Sequence, residues 1–386
     1  MTTVFVPKEV QEGETRVAAV PETVKRMVKL GLKVVIESGA GEGSKVSDAQ
    51  FSDAGAQIAT DAGQAWGEAD VVLKVAPPQD HPALGKHETE LMKKGAILIG
   101  FVWSVQSPEL AKRMAAQGLS CLAMEAIPRI SRAQKMDALS SQANLAGYKA
   151  VLMGADALTR IMPMMVTAAG TLKPAKVVIM GVGVAGLQAI ATAKRLGAIV
   201  EATDIRPETK EQVESLGGKF IETVQASGEG GYAKELTDEQ KEQQQEIIEQ
   251  HLIDADLVVT TALIPGRRAP ILVRASVVER MRYGPVIIDL AVSQGGNCEL
   301  AEPGRVVKHG VTIIGEPNIP ALLPTDASVT YSRNVLALLS DIVDGKAGGA
   351  LKLDLEDEVI DKSLILKDGE VRHAPTREAI DKLVAA

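Results

Sequence analysis

A chain of 386 residues is long enough for two or three domains, each with a core of its own. Its 42 basic and 50 acidic residues leave a net charge of −8, and no basic block or aromatic-interleaved basic stripe occurs, which argues against nucleic acid as a partner. There is no apolar run of about eighteen residues or more, and MTTVFVPKEV lacks a basic n-region and an apolar h-region, so the expectation is a soluble chain without membrane insertion that stays where it is made. Aromatic residues are only 3%, and the Ala, Val, Leu, Ile and Met that replace them suit open α/β sheets covered by helices. Cys121 and Cys298 form no C-x-x-C, and the five histidines, His81, His87, His251, His309 and His373, form no ligand-spaced pair; no metal site is expected.

The N-terminal third of the chain reads as strand and helix in alternation. Val4–Val6, Val34–Ile36, Ala69–Val75, Ala96–Phe101 and Ser120–Met124 are predicted strands, with helices over Pro21–Leu30 and Ser107–Gln117. The glycines of Gly39–Ser44 alternate and no apolar helix follows them, so this segment reads as a turn. The polar run Pro128–Asn144 then suits either a cleft that fixes a polar ring substituent or a hinge that water reaches. A helix is predicted from Ser140 to Ile161, ended by Pro163, and a second long helix from about Ser328 to Val343. The expected organisation is therefore two Rossmann-like, doubly wound parallel-sheet domains joined by long helices. Residues 1–139 plus 328–386 form the first, discontinuous domain, whose tail carries a hairpin turn at Lys367-Asp368-Gly369, and residues 140–327 form the second.

The second domain is organised around Val177–Arg206. The apolar strand Val177–Met180 runs straight into Gly181-Val182-Gly183-Val184-Ala185-Gly186, and a helix pattern follows at once. In this G-x-G-x-x-G turn, Gly181 permits the tight bend, Gly183 lets backbone approach a pyrophosphate, and Gly186 lets the helix pack close while its N-terminal amides face the phosphates. A second strand, Ile199–Thr203, ends at Asp204, where a carboxylate accepts from an adenosine ribose 2′-hydroxyl and repels a 2′-phosphate. The expected cofactor is NAD(H). Arg206 could pair with a 2′-phosphate but reads as a solvated or adenine-flanking cation. Further strands are predicted at Lys219–Glu222, Ala255–Ala262, Val286–Val292 and Val311–Gly315, six in all with the first two. Between them, Ala226–Tyr232 has the composition of a mobile loop bearing one aromatic, or of an idle surface insertion, and a solvated helix begins at Asp238.

Four segments together resemble the NAD(H)-binding component of proton-translocating transhydrogenase: Pro128–Tyr148, the glycine fingerprint to Arg206, the Thr261–Gly266 turn, and Ile287–Glu299. The resemblance spans nearly the whole chain. It implies a homodimer, cytoplasmic and peripheral to the inner membrane. Such a dimer binds NAD(H), passes hydride to an NADP(H)-binding component and works with a membrane-embedded proton-channel component. It also implies that Arg129, Asp137 and Ser140 hold the nicotinamide carboxamide and nearby groups, that Gln134 reaches toward the partner's nicotinamide ribose, and that Tyr232 closes on the nucleotide. Ile205 and Leu263 complete the implied cofactor contacts.

The same fold serves alanine dehydrogenase, and Arg16 and Lys74 match the pair that grips the substrate carboxylate in that enzyme. Where it has a catalytic histidine this chain has Trp103, and where it has a supporting acid this chain has Ser293. Reversible amine oxidation needs a group that takes and returns a proton. Hydride transfer between two nicotinamides needs only two rings held close with water kept out. A non-catalytic NAD(H) sensor remains a third reading.

Overall fold

The structure is a computed structural model that describes residues 1–222, 238–263, 268–345 and 348–385. The chain divides into two compact units, one formed by Met1–Gln142 with Pro320–Ala386, the other by Ala143–Ile319.

The first unit is built on an eight-stranded sheet. Its parallel strands, in chain order, are Thr3–Val6, Lys33–Glu37, Gln57–Ala59, Val71–Leu73, Ile97–Gly100 and Ser120–Ala123, and in space they run 3-2-1-4-5-6. Leu364–Lys367 and Glu370–Val371 add an antiparallel hairpin beside Ser120–Ala123. The turn of that hairpin holds Asp368 at φ 49 and Gly369 at φ 86, as the Lys-Asp-Gly sequence implies. The central strands are buried along their whole length because helices cover both faces, so they read as continuous apolar runs rather than alternating ones. One core lies around Val4, Val34, Met27 and Tyr331, the other around Phe5, Trp66, Leu98 and Met114.

The second unit repeats the order. Lys176–Met180, Ile199–Thr203, Lys219–Phe220, Leu257–Thr260, Val286–Asp289 and Val311–Gly315 again lie 3-2-1-4-5-6, and an antiparallel edge strand, Gly304–Lys308, makes seven. In such a sheet the strand order reverses between the first and fourth strands, and a crevice opens beyond their carboxyl ends. Here those ends are Gly181 and Thr261, bonded to each other through Thr261 Oγ1 and the Gly181 carbonyl oxygen at 3.0 Å.

Some boundaries differ from the sequence reading. The helix expected over Ser140–Ile161 runs from Ala138 to Ala157. It starts earlier because Asp137 Oδ1 accepts the Ser140 backbone N–H at 2.9 Å, an N-cap interaction. It stops earlier because Arg160 is drawn to Asp256 at 3.0 Å and the Met162 carbonyl accepts from Ala175 N–H at 2.9 Å. The later helix starts at Pro324, where proline's fixed φ suits a first turn. Helix Asp238–Ile253 starts where the acidic, glutamine-rich composition begins. No helix among the described residues is long and apolar enough to cross a membrane.

Candidate functional site

The glycine turn of the second unit has the geometry that a pyrophosphate site requires. Gly181 leaves the first strand at φ 96, a conformation glycine adopts freely, and Gly183 caps the helix Val184–Arg195. A Cβ on Gly186 would lie 1.9 Å from the Gly181 carbonyl oxygen, so only glycine lets the helix start this close to the strand. A Cβ on Gly183 would meet nothing within 4 Å, so the backbone there faces open space. The first-turn N–H groups of a helix have no partner inside the helix, and this one carries no side-chain cap at Gly183. Val184 is partly exposed at the mouth of the turn, and Ala185 packs beneath it, its carbonyl oxygen 2.0 Å from where a Cβ on Gly147 would sit.

Asp204 stands at the end of the second strand, its side chain 8% exposed. Oδ2 accepts Val182 N–H at 2.7 Å, and Oδ1 accepts the backbone N–H and the Nε of Arg206, each at 2.9 Å. Burial would raise its pKa, but these donors, Arg206 foremost, outweigh burial and hold the carboxyl below its ordinary value. Arg206, expected as a solvated or adenine-flanking cation, is half exposed and ion-paired to the acid, and its Nη2 donates to the Val182 carbonyl at 3.2 Å. Ile205, next to this pair, is 92% exposed, and Leu263, beyond the end of strand Leu257–Thr260, is 48% exposed, apolar groups offered at the sheet's carboxyl edge.

Two residues that carry no role in the sequence reading order the backbone around Thr261–Leu263, Asn297 directly and Asp289 through its bond to Asn297. Asn297, fully buried, donates to the carbonyls of Ala262 and Pro270 at 2.9 and 2.8 Å and accepts Ala262 N–H at 3.0 Å. Asp289, also fully buried, accepts the N–H groups of Ala291, Asn297 and Cys298, each at 2.8 Å. Both belong to the Ile287–Glu299 motif, which is the signal that could have found them. Tyr232 and residues 264–267, which include part of the turn expected over Thr261–Gly266, lie outside the described residues.

In the first unit, the 3-10 segment Ser131–Met136 and the start of the following helix carry the other candidates. Ala133 and Met136 point into the core, which leaves Arg129 and Gln134 exposed. Asp137 and Ser140 are half-buried and joined, Ser140 Oγ donating to Asp137 Oδ2 at 2.5 Å. The segment is fixed from behind: Arg132 bonds Asp341 at 3.1 Å and also Asp357, Asn334 donates to the Lys135 carbonyl at 2.9 Å, and Ser141 donates to Asn334 at 2.7 Å.

The family models of the alanine dehydrogenase/PNT N-terminal and C-terminal domains match residues 5–146 and 150–374. The chain belongs to the alanine dehydrogenase/PNT family. Within this family it is 49% identical, over 96% of its length and 97% of the relative's, to a Rhodospirillum rubrum protein named as the first portion of NAD(P) transhydrogenase subunit alpha. The crystal structure of transhydrogenase from Sinorhizobium meliloti superposes with a TM-score of 0.86 at 44% identity, covering 96% of this chain and 99% of that one. An L-alanine dehydrogenase structure superposes at 0.80 with 30% identity, covering 99% and 100%.

Arg16 and Lys74, the pair that the sequence reading sets beside the carboxylate grip of alanine dehydrogenase, are both engaged within the chain. Glu14 grips Arg16 through Nε at 2.8 Å and Nη2 at 2.7 Å, and Gln142 accepts from Nη1 at 2.9 Å. Lys74, 1% exposed, lies between Glu9 at 2.8 Å and Glu88 at 3.0 Å. Burial works against its charge, but the two carboxylates outweigh burial and hold its pKa above the ordinary lysine value.

Proposed function

We propose that this chain is the NAD(H)-binding subunit of a proton-translocating NAD(P) transhydrogenase. Hydride would pass directly between NAD(H) on this chain and NADP(H) on a partner component, and a separate membrane-embedded component would couple the transfer to proton movement. The observation that carries the reading is the glycine turn at the switch point of the second unit, with open space at Gly183 and a carboxylate, Asp204, at the end of the neighbouring strand. The similarity to the transhydrogenase subunit of Rhodospirillum rubrum supports the assignment of the reaction.

In this reading the N–H groups at the start of helix Val184–Arg195 bind the pyrophosphate, Asp204 accepts from the ribose, and Ile205 and Leu263 flank the adenine side. Arg129, Asp137 and Ser140 hold the nicotinamide carboxamide, Gln134 orients the partner's nicotinamide ribose, and Tyr232 covers the nucleotide. Bound NAD(H) supplies the hydride chemistry; these residues supply orientation and exclusion of water.

A homodimer fits the antiparallel hairpin Met165–Thr167 and Gly170–Leu172, which leaves Met165, Val166 and Leu172 at 43%, 75% and 49% exposure. Apolar groups in such numbers on one hairpin suit burial against a second copy. The site of action is the cytoplasmic face of the inner membrane, reached through partner components.

Amino-acid oxidation is the weaker reading. Trp103 and Ser293 cannot exchange a proton near neutral pH, and Arg16 and Lys74 are ion-paired within the chain. The test is to supply the chain alone with NADH, pyruvate and ammonia, and separately with NADH and an NADP(H)-binding transhydrogenase component. Turnover is expected only in the second mixture; alanine formation in the first, or silence in both, overturns the proposal.

A further inference from the structure

Glu125 lies in the 3-10 turn Met124–Ala126, directly after the strand Ser120–Ala123 of the first sheet. Its side chain reaches across to the turn that follows the neighbouring strand Ile97–Gly100. Oε1 accepts Trp103 N–H at 2.6 Å and Oε2 accepts Val102 N–H at 3.3 Å. Trp103 sits at φ 49, a conformation that bulky L residues rarely adopt and that its surroundings must enforce. Its ring stacks on Phe101 with centroids 5.3 Å apart and planes 10° apart, and Phe101 meets Tyr331 at 5.4 Å. Ser104 continues the turn, its Oγ 2.7 Å from Thr376 Oγ1, which His373 Nδ1 approaches at 2.8 Å. A strained turn at the carboxyl edge of this sheet thus donates two successive backbone N–H groups to one carboxylate.

We propose that Glu125 is a charge-dependent latch on the turn Val102–Ser104, tight when ionised and loosened when it takes up a proton. An ionised carboxylate accepts N–H bonds about twice as strongly as a neutral acceptor, and protonation converts one oxygen into a donor that repels the amide it held. The charge changes near neutrality. Burial pushes the Glu125 pKa up to about 7, with the N–H groups of Val102, Trp103 and Ser104 pulling the other way.

The groups around the latch leave it the principal titrating site. Cys121, on the adjoining strand, and Tyr331, on helix Pro324–Ile342, both sense Glu125, but burial raises each well above its ordinary value and keeps it neutral. Helix Glu358–Ser363 packs against the Met124–Ala126 turn and carries Glu358, Asp361 and Lys362. Asp361 is paired with Arg372 at 2.6 Å, Glu358 acts on Arg132, and Lys362 is exposed. His373, tied to the turn through Thr376, has its pKa lowered by burial.

The chain has two tryptophans, so Trp66→Phe leaves Trp103 as the only indole reporter. In the full chain carrying Trp66→Phe, fluorescence followed from about pH 5.5 to 8.5 should change sigmoidally around the midpoint given by Glu125. The change should vanish on adding Glu125→Gln and persist on adding His373→Gln, with far-UV circular dichroism unchanged. Should the double variant not fold, hydrogen exchange in the wild-type chain decides: Trp103 N–H protection, corrected for intrinsic rate, should fall as pH drops through the same range. A flat fluorescence titration, an unchanged transition with Glu125→Gln, loss of the transition with His373→Gln, or constant protection would each overturn the latch.

Discussion

Asp204 accepts the Val182 N–H at 2.7 Å with one oxygen and the Arg206 backbone N–H at 2.9 Å with the other, so a single carboxylate fastens the end of the second strand to the glycine turn. Its acceptor capacity is shared with Arg206, yet the pair carries no net positive charge to attract a 2′-phosphate. Wild-type chain should bind NADH at least about tenfold more tightly than NADPH, the scale of one charged hydrogen bond plus repulsion. Asp204→Asn should narrow that ratio. Calorimetric titration of both cofactors reads it, and equal wild-type affinities would refute the placement of Asp204 at the ribose.

The same residue fixes a pH dependence. Asp204 is held below the ordinary carboxylate value in the folded chain, so it releases its proton more readily folded than unfolded. Its contribution is then fully present above the unfolded pKa, about 3.9, and is lost as pH falls through the lower folded value. Melting curves of wild type and Asp204→Asn should differ most at neutral pH and converge in acid. A gap that stays constant down to about pH 3 would contradict the linkage.

Gly183 and Gly186 separate binding from folding. Gly186→Ala puts a methyl 1.9 Å from a carbonyl oxygen, and the forced shift should cost at least about 1–3 kcal/mol in denaturant unfolding. Gly183→Ala meets nothing within 4 Å and should leave the unfolding midpoint within the surface-mutation range of about 0.5 kcal/mol. It should nevertheless weaken NADH, because the methyl occupies the space a pyrophosphate needs. Undiminished NADH affinity in Gly183→Ala would move the cofactor away from this turn.

Much of this is legible in the sequence, and the exceptions have physical causes. Val177–Met180 and Ile97–Gly100 announce themselves because both faces of a parallel strand are buried, so nearly every residue is apolar. Gln57–Ala59 and Gly304–Lys308 do not, because edge strands face water and their side chains are largely exposed or half-buried. The fingerprint glycines are legible since their geometry is a backbone requirement. Asn297 is not, because an asparagine satisfying three backbone groups looks in sequence like any loop residue. The sequence marks Asp137 only for its place in the site; its capping of the helix emerges from the Ser140 N–H bond.

Asn297→Ala tests that reading of the Thr261–Leu263 segment. Removing a buried amide that bonds Ala262 twice and Pro270 once leaves backbone groups unpaired, at about 1–3 kcal/mol for each buried group left without a partner. Thermal unfolding should shift down, and NADH affinity should fall with it. An unchanged melting temperature would mean that the segment does not depend on Asn297.

The exposed hairpin gives a test of assembly. Val166→Asp places a charge on the most exposed apolar residue of Met165–Thr167 and touches no core. Light scattering after gel filtration should report a dimer for wild type and a monomer for the variant; a dimer in both would remove the hairpin from the interface.

The central claim is direct hydride transfer between two nicotinamides, and isotope tracing tests it most directly. NADH carrying deuterium at the transferable C4 position is mixed with this chain and an NADP(H)-binding transhydrogenase component loaded with NADP or an analogue. Deuterium should appear at C4 of the acceptor nicotinamide with none exchanged into water. Gln134→Ala should slow the transfer far more than it weakens NADH binding, because orientation effects can be worth several kcal/mol. Label lost to solvent during transfer, or no label on the acceptor, would contradict the account.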